Sequence, residues 1–62
     1  MKRQEFIREL ERAGCLLHRH GRRHDIYRNP VNDRKAPVPR HREIADTLCR
    51  IIRRQLGLDP GP

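Results

Sequence analysis

Aromatic side chains are nearly absent from this sequence: it has no tryptophan, and Phe6 and Tyr27 are its sole aromatics. Sequence-specific reading of bases by stacking on aromatic platforms is therefore not its expected device. Long apolar runs are lacking too. Met1-Lys2-Arg3 leads into Gln4-Glu5, and no stretch has the length of a secretory core or a membrane span, so bilayer insertion is not expected and a cytoplasmic protein is. Cysteine is scarce. Cys15 and Cys49 form no Cys-x-x-Cys pair and His18-x-His20 is a poor zinc pair, so no metal and no other cofactor is expected. Both thiols read as free core residues in a reducing compartment, without a disulfide.

What the sequence has in excess is arginine. Fifteen Lys and Arg against eight Asp and Glu give +7, and thirteen of the fifteen cations are arginine. Such charge points to a polyanion, with nucleic acid first and an anionic membrane surface second. The 62 residues allow one small domain. A chain of this size buries roughly 60% of its unfolded surface, so its stability is marginal and a partner that binds the folded form would raise it.

Hydrophobic periodicity predicts a helix over residues 2–13, with Phe6, Ile7, Leu10 and Ala13 on one stripe and Gly14 as its stop. A second helix is predicted over residues 42–56. Its wide apolar face holds Ile44, Ala45, Leu48, Cys49, Ile51, Ile52 and Leu56, and Gly57 ends it. Between them, residues 15–20 and 23–28 read as a hairpin turning at Gly21-Arg22. Asn29-Pro30-Val31-Asn32-Asp33 is dense in turn formers. Residues 35–38 follow as a short edge strand that Pro37 and Pro39 limit. The predicted class is α+β in the order α-β-β-β-α: a three-stranded antiparallel sheet covered on one face by two helices. Residues 1–58 form the expected domain, with fraying from Leu58 into a flexible tail over residues 59–62.

Two segments place histidine beside arginine at a structural breakpoint: Gly21-Arg22-Arg23-His24-Asp25-Ile26-Tyr27 and Val38-Pro39-Arg40-His41. Arginines hold phosphate oxygens, and imidazole as a class exchanges protons near neutral pH. With Gly14 before them, the Leu56-Gly57 end after them, and this order and spacing throughout, the chain resembles the HicA family of toxin–antitoxin ribonucleases over about residues 3–58. The resemblance implies a double-stranded-RNA-binding-like fold, endoribonuclease activity on mRNA and silencing by a cognate HicB-type antitoxin. It also maps the family's catalytic histidine onto His24. Two positions depart from the family pattern. Arg23 stands where many members carry a small residue, which bears on the phosphate approach. Cys15 stands where many carry an aromatic, which bears on core packing.

Metal-free RNA hydrolysis needs a base to take the ribose 2′ proton, an acid to protonate the leaving oxygen, and cations against the phosphorane charge. His24 is the candidate base or acid, and its charged sequence neighbours Arg22, Arg23 and Asp25 are expected to act on it electrostatically. Gly21, Arg22, Arg23, Arg40 and His41 are the candidate phosphate-binding residues. Gly21 is equally explained as a plain turn glycine. His41, placed at the predicted start of the second helix, reads as a cap, a phosphate ligand or a second proton-transfer group. Tyr27 either stacks on a base or packs in the sheet. A non-catalytic RNA-binding module of the same fold is the rival reading. A helix-turn-helix DNA binder fits less well, because some thirty residues separate the helices.

Overall fold

The computed structural model describes residues 1–58 of the chain, and the tail expected over 59–62 lies outside the described residues. Helix α1 spans Arg3–Arg12, strands β1 Leu16–His20, β2 His24–Asn29 and β3 Arg34–Pro39 follow, and helix α2 spans Asp46–Gln55. The order is the predicted α-β-β-β-α. The sheet is antiparallel throughout, in the order β1-β2-β3.

Alternation along β2 decides what the sheet does with its two faces. Asp25, Tyr27 and Asn29 are buried, while His24 is exposed and Ile26 and Arg28 half-buried. Across the register Asp25 meets Val38 and Tyr27 meets Ala36, and all four belong to the buried face. Phe6 and Leu10 of α1, and Cys49, Ile52 and Leu56 at the far end of the chain, complete that core with Cys15 and Ile44. Tyr27 is thus a packing residue rather than a platform for a base. Burial also raises the titration of both cysteine thiols, which are free.

Both helices end as their glycines predict. Gly14 (φ 93°) and Gly57 (φ 72°) take the left-handed conformation. The next amide reaches back five residues in each case, Cys15 N–H to the Leu10 carbonyl at 2.9 Å and Leu58 N–H to the Arg53 carbonyl at 2.8 Å. This 6→1 closure satisfies carbonyls that the last turn leaves unpaired. Leu58, expected to fray, is therefore pinned, and it rests against the core. Arg53 ties the helices together. Its guanidinium sits 5.4 Å from the centre of the Phe6 ring and donates to Glu9 Oε1 at 2.9 Å.

The predicted second helix is too long at its start. Residues 42–45 are not helical, because the chain's first residues pair with them: Arg3 N–H donates to the Arg42 carbonyl at 2.9 Å, Lys2 and Glu43 form an antiparallel bridge, and Ile44 and Met1 exchange backbone bonds at 2.8 Å. Ala45, at the N-cap, is extended (φ −58°, ψ 141°). The helix begins at Asp46, whose charge suits the first turn. The apolar face is narrower than predicted too. Cys49, Ile52 and Leu56 are buried, but Leu48 and Ile51 are 37% and 46% exposed. One sheet and one other helix offer too little surface to cover a face that wide.

Candidate functional site

The β1–β2 turn and the segment after β3 build one corner of the molecule. Gly21 N–H donates to the His24 carbonyl at 2.7 Å, and a Cβ on Gly21 would lie 2.8 Å from that same oxygen. Only a hydrogen fits there. The close approach that requires glycine is to the turn's own backbone, which explains the residue without a ligand.

His24 opens β2 on the exposed face and pairs in register with Pro39, two residues before His41. This register, not the chain's order, brings the two histidines to one place. Arg23, His24, Arg40 and His41 line a single depression. A second one, lined by Arg19, Gly21, Arg22, Arg23, His24 and Ile26, adjoins it through the shared Arg23 and His24. Arg22, Arg23, His24 and His41 are all exposed, and among the described residues their side chains make no hydrogen bond or ion pair. His41 lies five residues ahead of the first residue of α2. It is not at that helix's N-terminus, which removes the capping reading.

Asp25 was expected to act on its neighbour His24, but strand alternation turns it to the opposite side. There it is a buried hub. Arg3 Nη2 donates to Asp25 Oδ2 at 2.7 Å, Arg40 donates to Oδ1 through Nε at 3.0 Å and Nη2 at 2.9 Å, and His20 Nδ1 lies 2.7 Å from Oδ1. The Arg40 hydrogen bonds, and next the His20 contact, hold the Asp25 carboxyl down to about 2. Arg40 also reaches the turn. Its Nη2 donates to the Gly21 carbonyl at 2.7 Å and its Nη1 to the Arg22 carbonyl at 3.4 Å. Arg40 is therefore a strut between Asp25 and the turn that carries His24, whatever it does for a ligand. Arg28 is engaged as well, with Asp33, whereas the hairpin cations Arg19, Arg22 and Arg23 have no ion pair among the described residues.

Sequence reasoning missed Asp25, His20 and Arg3 as a unit. The signal was present in the period of two: Asp25 shares its face with Tyr27 and Asn29, and a carboxylate placed inward must find cations. Among the described residues no three His, Cys, Asp or Glu side chains gather as a metal site would need. No helix among them is long and apolar enough to cross a membrane.

Compared with known protein families, residues 3–58 match the HicA toxin of bacterial toxin–antitoxin systems. The chain belongs to the HicA toxin family. Comparison with curated proteins and with solved structures gives no significant match. HicA-family toxins are generally mRNA-cleaving RNases that interact with a cognate antitoxin. In this HicA-family chain, Arg23, where many members have a small residue, is exposed and lines both depressions. Cys15, where many have an aromatic, is fully buried. The first departure adds a cation to the candidate site, and the second is absorbed by the core.

Proposed function

We propose that this chain is an endoribonuclease toxin that cuts mRNA by attack of the ribose 2′-oxygen on the adjacent phosphorus, without a metal ion. The observation that carries the reading is the single depression in which His24 and His41 face the same space beside Arg23. Of the alternatives for His41, proton transfer is favoured by its sharing of that space with His24.

In the reaction, one imidazole removes the 2′ proton as the 2′-oxygen bonds to phosphorus. The bond from phosphorus to the 5′-oxygen breaks, and the other imidazole, entering protonated, gives that oxygen its proton. The products are a 2′,3′-cyclic phosphate and a free 5′-hydroxyl. Arg23 and Arg22 stabilise the charge that builds on the phosphorane oxygens. Arg40 holds the turn from behind, so its contribution to phosphate binding is chiefly the position of the Gly21 to His24 backbone. The reading includes a cytoplasmic location and a HicB-type antitoxin whose carboxylates cover Arg22 and Arg23.

Purified protein incubated with RNA in excess chelator tests the metal-free route. Cleavage at the rate seen without chelator is expected. Complete loss, restored by a divalent cation, would assign the chemistry to a metal instead.

A further inference from the structure

A third depression continues the basic corner. It is lined by Lys2, Arg3, Gln4 and Arg42, where the start of α1 meets the segment that follows β3. We propose that it is a distal phosphate subsite, which holds a second phosphate of the same RNA strand whose scissile phosphate sits between His24 and His41. This deepens the proposed function and rests on it.

Three observations support the assignment. First, the two depressions are neighbours through the backbone: Arg40 and His41 line one, and Arg42, the next residue, lines the other. Consecutive Cα atoms lie about 3.8 Å apart. Second, one buried carboxylate links them. Arg3 from the distal depression and Arg40 from the central one meet on the two oxygens of Asp25, and Arg3 Nε also donates to the Pro39 carbonyl at 2.8 Å. The hub that steadies the His24 turn thereby steadies Arg3 of the distal depression. Third, Lys2 and Arg42 are exposed cations whose side chains have no carboxylate partner among the described residues. The nearby Glu43 carboxylate lies 3.7 Å from the Met1 amino group and is not part of the lining. An unpaired Lys2 and Arg42 beside Arg3, with Gln4 as a neutral hydrogen-bonding group, have the chemistry of a phosphodiester site.

Affinity for uncleavable 2′-O-methyl RNA of two, four and six nucleotides tests this independently of catalysis. For the unmodified protein, binding should tighten markedly between two nucleotides and the longer strands. Lys2→Ala with Arg42→Ala should lose that gain, weakening the six-nucleotide complex about tenfold at low salt. The salt dependence of log K should also become shallower by about 0.7 for one lost phosphate contact. Arg8→Ala with Arg12→Ala, on the exposed side of α1, removes the same charge elsewhere and should leave the length dependence in place. Thermal melting shows whether each variant is folded. Affinity indifferent to length, or equal losses in the two double variants, would overturn the subsite. Cleavage by the unmodified protein would be untouched by either outcome, so failure here is separable from failure of the proposed reaction. An acidic peptide that binds this depression while RNA length has no effect would likewise overturn it in favour of a protein partner.

Discussion

Replacing His24 with alanine is expected to lower the rate of RNA cleavage by about 10²–10⁴, the usual cost of losing a general acid or base. Growth inhibition should disappear with it. The fold should survive, because His24 is exposed and its ring makes no hydrogen bond among the described residues. His41→Ala should fall in the same range if the second imidazole moves the other proton. Losses in the double variant should then be far from additive, since the two groups act as one unit. Cleavage by the folded His24→Ala protein at the wild-type rate would remove His24 from the chemistry.

Asp25→Asn should produce the largest loss of stability among substitutions near the site. The amide keeps the shape but not the charge that Arg3 and Arg40 meet. Weakening several charge-assisted bonds to a buried acceptor costs about 2–3 kcal/mol. For a domain this small that corresponds to a fall in melting temperature on the order of 10–20 °C. The effect has a definite pH signature. In the folded protein Asp25 titrates at about 2, below its ordinary 3.8. A lowered folded value contributes stability that is full above the unfolded value and is lost as pH falls through the folded one. The unmodified protein should therefore lose stability between about pH 4 and pH 2, with Glu9, lowered by its Arg53 bond, adding in the same direction. Asp25→Asn should flatten that part of the profile. Denaturant unfolding of both proteins across this range measures it, and parallel profiles would show that Asp25 is not the linked group.

The element order was legible because local signals agree with the fold at each level. Phe6 and Leu10 mark α1, Gly14 and Gly57 stop the helices, and the Asn and Asp of the 29–33 turn separate two strands. The start of α2 was not legible. Arg42 to Ala45 continue the helical pattern, but pairing with Met1 to Arg3 keeps them out of the helix, and nothing local announces a contact between the two ends of the chain. The site divides similarly. His24 stood out beside Gly21 and its arginines. Its meeting with His41 depends on the β2–β3 register, which puts Pro39 opposite His24. Asp25 was misread because adjacency in a strand means opposite faces.

Mapping the ends left by cleavage tests the central claim most directly. The account predicts fragments that end in a 2′,3′-cyclic phosphate and begin with a 5′-hydroxyl, and complete protection of any site whose single 2′-hydroxyl is replaced by hydrogen. Fragments carrying a 5′-phosphate, or cutting that persists at the 2′-deoxy position, would contradict attack by the ribose oxygen and with it the roles given to His24 and His41.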